Sequence, residues 1–285
     1  MSSIEKAMQR QSTDKPDQDT QLHNKTHVSP RIDELKPSSS DRPICSFNIN
    51  DLERHGYLTP GASRTKLAEE YRAIKRPLLQ NAFGKGSAPV EKGNVIVVVS
   101  ALPGEGKTFT AFNLAMSIAI EKDTTVLLVD GDILKKSCTK MLKLESAPGL
   151  TEVLLSQNVS ISDVLVRTEM PRLSVIPAGQ GHTHTTELLA SSNMERVVEE
   201  LAYRYPDRVI VFDAPPLLVT SEAPILTKLA GQILMVVEAG NTPQQVVAEA
   251  VGLLDKNKVV GMVLNKNRGS FGGDYYGQGY GYYGQ

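Results

Sequence analysis

The spacing of apolar positions changes several times along the chain. Up to residue 46 they stand singly among Ser, Gln, Asp, Lys and Pro, with no aromatic residue before Phe47. Such a stretch cannot bury enough apolar surface to offset chain entropy, so residues 1–46 are expected to be a disordered arm. From residue 48 the pattern tightens. Asn50, with Glu53 three residues on, has the spacing of a capping box; Leu52 is apolar, and Gly56 is placed to close a short helix. Leu67, Tyr71, Ile74 and Leu78 fall on one helical face, with Glu69, Arg72 and Lys75 elsewhere. This predicts a second helix from about Ser63, which Pro77 should kink or end.

Beyond residue 90 the unit is a short apolar run followed by a helical stretch. The runs at 95–100, 125–130, 173–177, 209–213, 232–238 and 259–265 lack the alternation of half-exposed strands. Helical spacing fills 108–121, 150–155, 187–203 and 244–254. Together they predict an α/β fold: a doubly wound, mostly parallel sheet covered on both faces, over residues 90–268. Residues 47–89 form a helical extension ahead of it. Residues 269–285 are mostly Gly and Tyr, including Tyr275, Tyr276, Tyr280, Tyr282 and Tyr283, and are expected to form a flexible tail.

Charge narrows the possible partners. In 285 residues, 31 basic side chains nearly cancel 32 acidic ones, so the chain lacks the overall basic field of non-specific nucleic-acid binders, and no nucleic-acid partner is expected. Two distant cysteines, Cys45 and Cys138, make no disulfide framework and fit a reducing compartment. Residues 1–10 lack the apolar core of a signal peptide, and the longest apolar runs are strand-length. A cytoplasmic protein with no membrane span is the expectation.

The candidate chemistry lies between the first run and the first long helix. Ala101, Leu102, Pro103, Gly104, Glu105, Gly106, Lys107 and Thr108 occupy the place of a phosphate loop, where successive backbone N–H groups and a helix N-terminus converge on an anion. Gly104 and Gly106 let the backbone approach the phosphates. Lys107 neutralises the β/γ oxygens, and Thr108 places a hydroxyl on Mg²⁺. Ala101 stands where the motif usually has its first glycine. Two further runs end in carboxylates, at Asp130 and Asp132 and at Asp213. Ligands of open α/β sheets sit outside the carboxyl ends of the strands, which would bring all three around a triphosphate and its metal. Asn265-Lys-Asn-Arg268 begins like a guanine-reading motif but has Arg268 in place of the base-reading Asp. ATP is therefore favoured, with Asn265 near the adenine. His182 and His184 lack partners at metal-ligand spacing and are expected in an exposed loop.

The loop, the Asp-x-Asp run, the Asp213-Ala-Pro-Pro216 run and the terminal tyrosine cluster resemble the Walker A, A′ and B motifs and the acceptor tail of bacterial tyrosine kinases. Within that family the chain most resembles the free-standing cytoplasmic autokinases of exopolysaccharide and exosortase loci. Glu69, Arg72 and Lys75 resemble its Glu-x-x-Arg-x-x-Arg oligomerisation helix, at about 63–76, with Lys75 in place of the last Arg. Lys135 and Lys136 stand where the family has an Arg after Asp132.

The resemblance implies an ATP- and Mg²⁺-dependent autokinase. Its ATP site would comprise Pro103 to Thr108 and Asn265, its catalytic residues Lys107, Asp130, Asp132 and Asp213, and its metal ligands Thr108, Asp130 and Asp213. The acceptors would be the five tail tyrosines, modified between subunits of a homo-oligomeric ring. The resemblance further implies a membrane chain-length-determinant protein as activator, which recruits the kinase to the inner face of the membrane, and an opposing tyrosine phosphatase. The competing reading is a membrane- or DNA-positioning P-loop ATPase of the same fold, a class that carries a second lysine where this chain has Leu102.

Overall fold

A computed structural model describes residues 44–46, 48–61, 64–181, 185–205 and 207–267. In chain order the elements are α1 (Ile49–Arg54), α2 (Lys66–Ala82), β1 (Val95–Ser100), α3 (Lys107–Ala119), β2 (Thr125–Asp130), α4 (Ser137–Met141), α5 (Leu150–Leu155), α6 (Ile161–Val164), β3 (Val166–Arg167), β4 (Leu173–Ile176), α7 (Thr185–Leu189), α8 (Ser192–Arg204), β5 (Arg208–Asp213), α9 (Glu222–Leu229), β6 (Gln232–Glu238), α10 (Gln244–Gly252) and β7 (Val259–Asn265). The strands form one sheet in the order β3-β4-β2-β5-β1-β6-β7, parallel throughout except for β3 against β4.

Within the apolar runs, the two-residue period of a strand divides the core between the faces of the sheet. Val95, Val97, Val99, Leu127, Val129, Ile210 and Phe212 pack with residues of α5, α8, α9 and α10. Ile96, Val98, Val126, Leu128, Val209 and Val211 pack with α3 and with the N-terminal helices, through Leu52, Leu58, Tyr71 and Leu78. The sheet is covered on both faces except at β7, an edge strand that leaves Met262 and Leu264 55% and 70% exposed. No helix among the described residues is long and apolar enough to cross a membrane.

Several local expectations are corrected. The cap of α1 is Asn48, whose Oδ1 accepts the Asp51 N–H at 3.2 Å, rather than Asn50. Glu53 instead accepts the Thr59 hydroxyl at 3.0 Å. Cys45, placed by its polar surroundings in the disordered arm, is buried and forms a bridge with Thr168 beside β3. α2 begins at Lys66, capped by Thr65, and runs through Pro77 to Ala82. Proline deprives the Ala73 carbonyl of its helical donor, but both residues lie on the exposed face, where that carbonyl is open to solvent. The stretch expected as one helix over 187–203 is two, because the Ser191 side chain caps a new start by accepting the Met194 N–H. Tyr71 is buried on the apolar face of α2, as the pattern indicated, whereas Tyr203 on α8 is 62% exposed.

Lys75 also departs from expectation. Its ammonium turns inward, donating to the Ser117 carbonyl at 2.6 Å near the end of α3 and pairing with Glu121 at 2.7 Å. A cation there satisfies carbonyls that have no intrahelical donor. Lys75→Met should therefore destabilise the fold by about 1–3 kcal/mol, the cost of leaving a buried polar group unpaired. Lys66→Met, at an exposed i,i+4 pair with Glu70, should stay within about 0.5 kcal/mol. Urea unfolding of the two variants checks this; equal midpoints would show that Lys75 does not tie α2 to α3.

Candidate active site

β1 ends on the phosphate loop, and α3 starts immediately after it. Gly106 is the N-cap of α3 with φ 98°, and Gly104 has φ 89°; both lie in the left-handed region that only glycine enters cheaply. A Cβ on Gly106 would also lie 2.0 Å from Asn265 Nδ2. Ala101 is not among the positive-φ positions, which explains why a non-glycine is accepted there. Pro103 and Gly104 form the exposed tip. The loop is strapped from beneath: Leu217 N–H donates to the Ser100 carbonyl at 2.8 Å and Leu218 N–H to the Ala101 carbonyl at 3.2 Å.

The register places the carboxylates beside the loop. Asp130 and Asp213 are paired Cα neighbours at the ends of β2 and β5, and Asp213 is also level with Val98 of β1. Lys107, 7% exposed, holds its ammonium 3.1 Å from Asp132 Oδ2 and 4.0 Å from Asp213 Oδ1. The other oxygen of Asp132 accepts the Lys135 N–H at 3.1 Å.

The three aspartates differ in their hydrogen bonds. Asp130 is spoken for: Oδ2 accepts both the N–H and the hydroxyl of Thr139 at 2.7 Å, and Oδ1 accepts the Asp132 N–H at 3.2 Å. Burial raises its pKa, and the Thr139 bonds oppose the shift. Asp213 is completely buried, and neither of its oxygens has a hydrogen-bond partner. Burial pushes its pKa up to about 7 against the pull of Lys107, with Asp130 adding to the rise; the Thr108 hydroxyl also faces it and lowers its pKa, though outside normal hydrogen-bond geometry.

Glu105 faces away from the phosphate cradle. Its carboxylate accepts the Leu102 N–H at 2.6 Å and the Thr242 hydroxyl, while its main-chain carbonyl accepts from Asn265 Nδ2 at 2.8 Å. Of the two lysines following Asp132, Lys136 has φ 53° and donates to the Gly179 carbonyl at 2.6 Å, and Lys135 stays exposed. On α2, Glu69 and Arg72 pair with each other on the exposed face, Arg76 is exposed, and Lys75 is withdrawn as described. Tyr275, Tyr276, Tyr280, Tyr282, Tyr283, His182, His184 and Arg268 lie outside the described residues.

Thr139 and Thr242 were missed in the sequence. Neither belongs to a recognisable motif, and each meets its carboxylate only through the fold, nine residues after Asp130 and 137 residues after Glu105.

Comparison with known proteins narrows the class of this site. Residues 93–257 match the AAA domain family AAA_31. The chain is 33% identical over 191 residues to the tyrosine-protein kinase YwqD of Bacillus subtilis, covering 66% of this chain and 77% of that protein. It is 34% identical over 221 residues to the succinoglycan biosynthesis transport protein ExoP of Rhizobium meliloti, covering 75% of this chain but only 27% of that much longer relative. The crystal structure of the VpsO kinase domain superposes with a TM-score of 0.55 at 30% identity, over 70% of this chain and 98% of that domain. A nucleotide-binding loop followed by strand-end carboxylates, in a chain so similar to a named tyrosine kinase over most of that kinase's length, places this protein among the bacterial tyrosine kinases, the P-loop family to which it belongs.

Proposed function

We propose that this kinase uses ATP and Mg²⁺ to phosphorylate its own C-terminal tyrosine cluster between subunits, and thereby regulates exopolysaccharide polymerisation and export. The observation that carries the catalytic part is Asp213, a buried carboxylate beside Lys107 with no hydrogen-bond partner. A buried carboxylate without hydrogen bonds is costly even beside an ammonium, and a hydrated cation satisfies it. Asp213 and Thr108 are thus the residues that would hold Mg²⁺, directly or through water. When bound, that ion neutralises charge on the phosphates. Mg²⁺ at phosphoryl-transfer sites takes few protein ligands.

The chain's own groups divide the remaining work. Loop amides and Lys107 hold and neutralise the triphosphate. Asp130, its oxygens occupied by Thr139 and Asp132, is a positioning residue that fixes the turn after β2. Asp132, on that turn and paired through Oδ2 with Lys107, is proposed as the group that takes the acceptor proton; a tyrosine hydroxyl with a pKa of about 10 needs such a base at neutral pH.

Transfer between subunits, the ring, the membrane activator and the phosphatase belong to the same proposal. The transport-protein name of the Rhizobium relative supports a role in polysaccharide export. The exposed Glu69, Arg72 and Arg76 offer both signs of charge to a neighbouring copy. Each added phosphate brings roughly −1.5 to −2 charges, so modification of all five tyrosines would load a subunit contact with about −8 to −10 and loosen it.

The test mixes a Lys107→Met chain that keeps its tail with an active chain truncated after Ser270, in Mg-ATP. Phosphotyrosine on the inactive chain, mapped to residues 275–283, is the expected result. Its absence, with the truncated chain shown to bind ATP and to co-assemble, would overturn transfer between subunits. ATP hydrolysis by the intact protein without any phosphotyrosine would overturn autophosphorylation itself.

A further inference from the structure

Glu105 belongs to the phosphate-loop motif, and its carboxylate bonds both within the loop, at the Leu102 N–H, and beyond it. The residue is 2% exposed, and its carboxylate reaches the neighbouring β6, where it accepts the Thr242 hydroxyl and the Glu238 N–H, the latter at 3.4 Å. Glu238 ends β6, and Thr242 lies in the segment that follows it. Asn265, the last residue of β7, bonds the main chain of the same loop residue, 2.8 Å from Nδ2 to the Glu105 carbonyl. Asn265 is itself tied to the β6 segment, because Ala239 N–H donates to its carbonyl at 2.9 Å. Next in sequence, Lys266 turns into the left-handed region with φ 57° and pairs with Glu238 at 3.0 Å. The phosphate loop, the end of β6 and the root of the C-terminal tail therefore share one hydrogen-bonded junction.

We infer that Glu105, Thr242 and Asn265 form a latch through which nucleotide occupancy of the phosphate loop is felt at Lys266 and Asn267, where the tail begins. In a trans peptide the C=O and N–H point in opposite directions. Fixing the Glu105 carbonyl on Asn265 therefore fixes the Gly106 N–H, one of the amides the loop offers to phosphate. Phosphate binding and the Asn265 contact order the same peptide plane, so whichever forms first lowers the entropy cost of the other. The coupling is reciprocal: an event that pulls the tail root away from the loop weakens nucleotide binding by the same factor that nucleotide strengthens the root. Glu105 and Thr242 are positioning residues in this scheme. The latch rests only on nucleotide binding at the loop; its consequence for tyrosine delivery rests on the function proposed above.

Amide hydrogen exchange over residues 264–267 tests the latch without any phosphoryl transfer, using the full chain with and without a non-hydrolysable ATP analogue and Mg²⁺. In the wild type the analogue should slow exchange there at least threefold. In Asn265→Ala, at analogue concentrations shown by calorimetry to saturate the site, that slowing should disappear. A purely structural role for Asn265 would speed exchange equally in both states and leave their ratio unchanged. Thr242→Val, which removes one hydroxyl from a half-buried surface position, provides the same comparison if Asn265→Ala does not fold. No slowing in the wild type, or undiminished slowing in a folded, saturated variant, would overturn the latch. An absence of phosphotyrosine on the tail would overturn the proposed function and leave this result standing.

Discussion

Lys107→Met is expected to cut phosphotyrosine formation at least 10²–10³-fold, the range typical for removing a preorganised charge from a transition state. The substitution removes the main side-chain cation from the transferred phosphoryl group, and backbone amides alone do not replace it. It also leaves Asp132 and Asp213 in a buried site without their ammonium partner. Stranding one side of a buried pair costs about 3–5 kcal/mol. The variant should therefore melt lower as well, and labelling must be normalised to folded protein measured by circular dichroism. Wild-type labelling by a folded Lys107→Met protein would remove the phosphate loop from the mechanism.

Asp213→Asn should have opposite effects on activity and stability. Transfer should fall by about 10²-fold or more, since the carboxylate placed to serve Mg²⁺ becomes a neutral amide. Without metal or nucleotide, the same change should stabilise the protein at alkaline pH. The folded-state pKa of Asp213 stands at about 7, above the ordinary carboxylate value of 3.8 that it has in the unfolded chain. Between these values the folded chain retains a proton that the unfolded chain releases. The stabilisation is complete below about pH 4 and is lost as pH rises toward and through 7, at up to about 1.4 kcal/mol per pH unit. Asparagine has no such titration. Melting curves in EDTA from pH 4 to 8 should show the variant gaining on the wild type as pH rises. Parallel curves would mean that Asp213 is stabilised as a carboxylate in a way its geometry does not show.

Local chemistry was enough to place the phosphate loop and the strand-end carboxylates in the fold. Strand-length apolar runs, a glycine-rich loop between a run and a helix, and carboxylates at the ends of two further runs all depend on residues within about ten positions of one another, and they lie where the sequence puts them. Elements of two to five residues, such as β3, α4 and α6, are too short to establish a period. The helix α9 is hidden by Pro224, which reads as a breaker but sits in the first helical turn, where a missing N–H costs nothing.

What each side chain does at the site was decided by tertiary structure. Asp130 and Asp213 end equivalent runs in the sequence, yet Thr139 occupies the first, while the second is buried with its oxygens unpartnered. Lys75 and Arg76 are adjacent and alike in charge, but α2 packs on α3 in the one rotation that sends Lys75 to the Ser117 carbonyl and leaves Arg76 outside. The Glu105 carboxylate, a motif residue by position, is committed to Thr242, just after the neighbouring strand β6. The physical reason is common to all three. Sequence patterning specifies which residues are buried and on which face, through periods set by the backbone. The hydrogen-bond partner of a buried polar group comes from whichever distant segment the packing brings within about 3 Å, and no local period encodes that choice.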